Sequence, residues 1–205
     1  MSVSKRLIKF VPVANEIKME PVFTLPYSEF RTANRLAEFF KKQEGYSVLL
    51  PSSRTEKGFD LALLKQNGTK RRIITIQVKA SRTYSGKPAK WEPYAYRTWF
   101  QTFLVPDETD WIFLVGMYPN SEDKTRKSGA AWWQEIILCF SRKEMTDFFG
   151  QVKTRKGTPD KFFGFGFNEP KAIFQTRGDQ NREKKDYSGF LLEKRHEEIL
   201  ESFAE

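Results

Sequence analysis

Asp60, Gln77 and Lys79 place a carboxylate, an amide and an ammonium group within two closely spaced apolar runs. Asp60 opens the run Asp60-Leu61-Ala62-Leu63-Leu64, and the other two interrupt Ile73-Ile74-Thr75-Ile76-Gln77-Val78-Lys79-Ala80. Carboxylate and amide oxygens are hard donors that suit Mg²⁺. This ion keeps several waters and needs only one or two carboxylates when a phosphate completes its shell. Such an ion neutralises charge developing on a phosphate and makes water nucleophilic near neutral pH. A neighbouring lysine can orient that water or stabilise its deprotonated form, and the Val78 carbonyl could add a neutral ligand. The trio therefore suits phosphodiester hydrolysis. The plain alternative is that Asp60 bonds a loop end and that Gln77 and Lys79 lie on one solvated strand face.

Positioning these groups takes a hairpin. Asn67-Gly68 marks a turn between a strand at Phe59–Leu64 and its partner at Arg71–Ala80. The two-residue period puts Ile74, Ile76 and Val78 on one face and Ile73, Thr75, Gln77 and Lys79 on the other. Upstream, a helix is expected over Ser28–Glu44. Ser28 would be its N-cap, Phe30, Ala33, Leu36, Ala37 and Phe40 recur at helical spacing, and Gly45 would stop it. Tyr46–Leu50 reads as a short strand ended by Pro51, and Leu7–Val13 as an edge strand. Downstream, Ser81–Pro93 reads as a basic loop and Tyr94–Val105 as an aromatic extended segment. Trp111–Tyr118 and Trp132–Phe140 read as strands. Ser141 and Glu144 form a capping-box pattern that opens a short helix to Phe149. Lys153–Asp160 and Gln175–Ser188 are polar enough for loops, and the FGFGF run at Phe163–Phe167 is strand-like. A terminal helix over Phe190–Phe203 would bury Leu191, Leu192, Ile199 and Phe203. No repeat and no long linker divides the chain, so residues 1–205 are expected to form one domain.

Composition narrows the chemistry. A net charge of +9 over 205 residues favours an anionic partner, nucleic acid first, unless the charge serves only solubility. His196 is the sole histidine and Cys139 the sole cysteine, which excludes zinc clusters, paired-histidine nucleases and an intrachain disulfide. Cys139 sits in the apolar run IILCF and is expected in the core. His196 is expected to be solvated on a charged helix. The cytosol is the natural compartment for such cysteine usage. No phosphate loop of the Walker or Rossmann type occurs. The apolar run Trp111–Met117 is too short to span a bilayer, and Lys9 interrupts the stretch after Lys5 and Arg6, so neither a membrane partner nor a signal peptide is expected. Trp91 and Trp99 could stack on bases, but core packing is the expectation for both.

Taken in order, EFRTA, LAEFF, EGYSVLLP, GFDLAL and IQVKAS resemble the successive motifs of the PD-(D/E)XK nuclease superfamily. There, a helix bearing a glutamate precedes a hairpin bearing Asp and then Glu-x-Lys or Gln-x-Lys. The Gln-x-Lys form is similar to that of Mrr-like restriction endonucleases. The resemblance covers residues 27–82, with Trp111–Tyr118 continuing the sheet. It implies an α/β (α+β) fold with a restriction-endonuclease-like mixed central sheet flanked by helices. Residues 27–118 would form the catalytic core, and 119–205 peripheral elements suited to recognition. It further implies Mg²⁺ dependence, with Mn²⁺ as a substitute, and cleavage of DNA in restriction, defence or repair. RNA is the weaker expectation, and a homodimer would suit the breaking of two strands.

On this resemblance Asp60, Gln77 and the Val78 carbonyl hold the metal and Lys79 assists the nucleophile. Glu29, on the helix side of Ala33, Leu36 and Phe40, holds a second ion or its water; Glu38 competes for that role from a position turned further away. Arg54, Lys57, Arg82, Lys87 and Lys90 flank the site and suit phosphate contacts, unless they are ordinary solvated charges. Two departures stand out. Phe59 occupies the place of the motif's proline, and Gln77 replaces an acid, which removes a negative charge and should weaken Mg²⁺ binding. The alternative is therefore a binding module that grips DNA without cutting it.

Overall fold

The computed structural model describes residues 21–51, 58–85, 93–119, 133–169, 171–181 and 183–204. In chain order the elements are α1 (Pro21–Phe39), β1 (Tyr46–Leu49), β2 (Leu61–Asn67), β3 (Lys70–Ser85), β4 (Tyr96–Gln101), β5 (Trp111–Pro119), β6 (Trp133–Ser141), α2 (Arg142–Gln151), β7 (Phe162–Phe167), β8 (Phe174–Arg177) and α3 (Leu192–Glu201). The expected edge strand at Leu7–Val13 lies outside the described residues.

The hairpin forms where expected, with Asn67 opposite Lys70 and Leu61 opposite Ile76. Gly68 takes a φ of 59° in the turn, a value that a residue without Cβ adopts at no steric cost. β1 adds to β2 in antiparallel fashion. β5 lies parallel to β3, from Ile76 beside Trp111 to Arg82 beside Met117, and β6 pairs antiparallel with β5. β3 then continues to Ser85, so Ser81–Ser85, expected as loop, is strand. Its last residues pair with β4, which leads on to β7 and β8. The described residues thus form a mixed α/β architecture of eight strands and three α-helices, antiparallel throughout except for the β3–β5 pair.

Two cores sit on the two faces of β5 and β6, and the first extends over β3. The first joins Leu36 and Phe40 of α1 and Ile199 of α3 to Ile76, Val78, Phe113 and Cys139. Burial pushes the Cys139 thiol well above its ordinary pKa, as befits a core cysteine. The second packs Ile112, Leu114 and Phe140 against Phe100, Phe163, Phe165 and Phe167 of the β4–β7 layer and Met145 and Phe148 of α2. The FGFGF repeat now has a reason. Phe163, Phe165 and Phe167 point inward and are fully buried, each contributing about 1.5–3 kcal/mol relative to exposure, and the glycines lie on the other face beneath Trp99 and Tyr94.

Several expectations are corrected. α1 starts at Pro21, a residue suited to a first helical turn, so Ser28 is buried within the helix instead of capping it. The buried stripe runs through Ser28, Thr32, Ala33, Leu36 and Phe40, which leaves Phe30 and Ala37 exposed. α1 ends at Phe39. Gly45 instead closes a 3-10 turn at Lys42–Glu44, where a Cβ would come within 2.4 Å of the Gln66 carbonyl oxygen. β8 occupies part of the expected Gln175–Ser188 loop. His196 is half-buried and stacks on Phe39, with ring centroids 4.7 Å apart. The capping box on α2 is present as expected, with Ser141 Oγ accepting the Glu144 N–H and the Glu144 carboxylate accepting the Ser141 N–H.

Candidate active site

Asp60 stands one residue before β2 and is fastened to β3 by three contacts. Its N–H donates to the Ile76 carbonyl at 2.9 Å. Its carboxylate Oδ2 accepts the Val78 N–H at 2.7 Å and the Gln77 side-chain amide at 3.3 Å. The last β2–β3 pair is Leu61 with Ile76, so the carboxylate takes over the strand edge where the backbone ladder stops. A strand residue directs its N–H and C=O to the same edge. The Val78 carbonyl therefore leaves β3 on the side where Asp60 sits.

Gln77 and Lys79 project from the face of β3 opposite Ile76 and Val78. In register with them on β5 are Ile112 and Leu114, which belong to the second core. Asp60, Gln77 and Lys79 are all half-buried. The Lys79 ammonium lies 5.2 Å from the centre of the Phe103 ring, a cation–π distance. The hairpin thus brings Asp60 to Gln77, and the strand period sets Lys79 on the Gln77 face.

A loop missed in the sequence braces this site. Thr75 shares the Gln77 face; its N–H donates to Asp110 Oδ2 at 2.8 Å, and its hydroxyl lies 2.6 Å from the Glu108 carbonyl oxygen. Thr109 Oγ1 donates to the Gly58 carbonyl. A Cβ on Gly58 would stand 3.1 Å from a Glu108 carboxylate oxygen, so the two chain segments are in close contact. The Asp107-Glu108-Thr109-Asp110 run precedes β5 and reaches the site because β5 is the parallel neighbour of β3.

The other expected residues fall elsewhere. Glu29 is half-buried on α1, the helix whose Ala33, Leu36 and Phe40 pack with Ile76 and Val78. Glu38 pairs with Arg35 at the exposed surface. Arg82 is exposed on β3, three residues past Lys79 and on the opposite face. Arg54, Lys57, Lys87, Lys90 and Trp91 lie outside the described residues. Trp99, expected in the core, is instead 47% exposed, because Thr98 and Phe100 take the inward positions of β4.

The fit to a metal can be judged from the donors. Among the described residues no three Asp, Glu, His or Cys side chains gather around one point. What the hairpin offers is one carboxylate, one side-chain amide and one backbone carbonyl. Gln77 turns its NH₂ toward Asp60, and a flip of its broad terminal torsion would present oxygen instead. This all-oxygen set with a single acid fits a hard cation that draws its remaining ligands from water and phosphate, as Mg²⁺ does. It does not fit zinc, which is held by a closed cysteine–histidine shell in structural sites and by histidine-rich sets in catalytic ones. No protein-family model, curated protein or solved structure matches the chain.

Proposed function

We propose that the chain is a Mg²⁺-dependent DNA endonuclease of the PD-(D/E)XK type on a restriction-endonuclease-like fold, with Mn²⁺ able to replace Mg²⁺. The observation that carries this reading is the Asp60 carboxylate held by the Val78 N–H at 2.7 Å, with Gln77 beside it and Lys79 on the Gln77 face. Asp60, Gln77 and the Val78 carbonyl would hold the ion, which when bound neutralises phosphate charge and eases deprotonation of water. Lys79 orients the attacking water and stabilises its deprotonated form. Its aliphatic stem and the Phe103 ring limit the number of geometries its ammonium can adopt. Glu29 of α1 would hold a second ion or its water. The net charge of +9 supports a polyanionic substrate, and breaking both strands would call for two copies of the site, as in a homodimer. A role in restriction, defence or repair rests on the resemblance of the motifs.

A second reading is favoured by one specific feature. Gln77 leaves Asp60 as the only carboxylate on the hairpin, which suits a nuclease fold kept for gripping DNA without cutting it. Labelled DNA and RNA of one sequence, each single-stranded and duplex, separate the readings when incubated with the chain in Mg²⁺, Mn²⁺ or chelator. Cleavage of DNA in either metal and none in chelator is expected. Retention of intact DNA in a salt-sensitive complex under every condition would favour the binding module, and cleavage of RNA alone would overturn the choice of DNA.

A further inference from the structure

Three large aromatic side chains lie exposed on the outer face of the β3–β4–β7–β8 layer: Tyr84 at 53%, Trp99 at 47% and Phe162 at 40%. They form one patch. The Tyr84 and Trp99 rings are 5.7 Å apart, and the Arg177 guanidinium lies 5.9 Å from the Trp99 centroid and 4.8 Å from that of Phe162. The strands dictate this grouping. Trp99 pairs with Gly164, and Gly164 pairs with Arg177, so indole and guanidinium occupy one cross-strand row with no side chain between them. A Cβ on Gly164 would fall 2.7 Å from Trp99 Cδ1, which shows that the indole rests against the backbone there. The outward glycines of FGFGF therefore serve the aromatic surface as the inward phenylalanines serve the core.

Arg177 also lines a neighbouring cleft of about 260 Å³ with Lys153, Thr154, Arg155, Asp160, Thr176, Gly178 and Asp179. The cleft carries three cations against two acids, and Asp160 is already committed to Arg177 at 3.3 Å. Arg82, exposed on the same face of β3 as Tyr84, adds a further positive charge. Flat rings for bases beside a positive groove for the backbone are the two parts that binding of a single nucleic-acid strand requires. An apolar protein partner would find its contact interrupted by Arg177 and Arg82.

We propose that this surface binds unpaired nucleotides of a DNA strand, with bases stacked on Trp99 and Tyr84 and the backbone led past Arg177 into the Lys153–Arg155 cleft. β3 runs through both regions, with Tyr84 five residues past Lys79, about 16 Å along the strand and on its opposite face. The inference rests on the nucleic-acid reading above and names the form of substrate.

The test uses the full chain carrying Asp60→Ala, in chelator, with fluorescein-labelled single-stranded DNA, the matching duplex and the matching RNA. Fluorescence anisotropy is expected to show the single DNA strand bound more tightly than either competitor. Trp99→Ala and Tyr84→Ala should each weaken that binding on the order of tenfold, while Trp99→Phe restores most of it. Thermal melts confirm that each variant folds; if Trp99→Ala does not, Phe162→Ala at the patch edge replaces it, with a smaller loss expected. Unchanged binding in the folded aromatic variants overturns the proposal, as does tighter binding of RNA or duplex. Because cutting is disabled, binding through Trp99 can be found in a protein that never cleaves, and its absence in one that does.

Discussion

The Val78 N–H donates to Asp60 Oδ2 across 2.7 Å, at the point where the β2–β3 ladder has stopped at Leu61 and Ile76. The bond gives a carboxylate at a chain corner the precision of a strand residue. It also uses one oxygen of Asp60 for structure while directing the group toward Gln77. Side chains held in this way by a rigid strand suit catalysis better than those on free loops.

Gln77→Glu tests the missing acid. A second carboxylate 3.3 Å from Asp60 would repel it in the absence of metal, because like charges that close disfavour joint ionisation. The variant should melt at a lower temperature than the parent in chelator and gain more stability from added Mg²⁺, by linkage. DNA cleavage should then reach half its maximum at a Mg²⁺ concentration lower by about tenfold, which corresponds to roughly 1.4 kcal/mol of added metal binding. Equal melting shifts on Mg²⁺ addition in both proteins would count against a metal between these residues.

Acid should loosen the joint between α2 and α3. Burial pushes the Glu144 carboxyl up, but hydrogen bonds from Arg195 and Ser141 outweigh it and hold the group below the ordinary value of 4.5. Because the folded value lies below the unfolded one, the stabilisation is complete above about pH 4.5 and is lost as pH falls through the folded value. Melting temperatures of the parent and Glu144→Gln should differ most near neutral pH and converge in acid. A constant gap over the whole range would show that the carboxylate charge is not what matters there.

Gly116 marks where the two layers press together. A Cβ there would stand 2.5 Å from Thr98 Cγ2 and 3.0 Å from Ile136 Cγ1, both on buried side chains. Gly116→Ala should cost about 1–3 kcal/mol as overpacking, read as a lower melting temperature. Adding Thr98→Ser, which removes the opposing methyl, should recover much of the loss. Failure of the double variant to recover any would place the strain elsewhere.

The trio Asp60, Gln77 and Lys79 was legible because a turn dipeptide and a two-residue period fix both the partner strands and the face that each side chain takes. The α2 cap was legible for the same reason, since Ser141 and Glu144 act locally. What could not be read depended on partners distant in sequence. Alternation in Tyr96–Gln101 separates Trp99 from Thr98 and Phe100, but the face that meets the core is set by Gly116 and the β7 phenylalanines. The brace from Thr75 to Asp110 needs the parallel pairing of β3 and β5, which no local signal announces. The side of the sheet on which the α1 stripe lands is likewise a tertiary matter. The expected start at Ser28 missed the first two turns of α1, which opens at Pro21, a residue suited to a first helical position.

The most direct test of the nuclease reading is incubation of supercoiled plasmid with the chain in Mg²⁺ or Mn²⁺, beside Asp60→Ala and Lys79→Ala. Metal-dependent nicking or linearisation by the parent, lost by about a hundredfold or more in both variants as expected for removal of groups that act on the attacking water, is the predicted result. An uncut plasmid in both metals, with all three proteins binding it equally, would contradict the account and leave the chain a DNA-binding module.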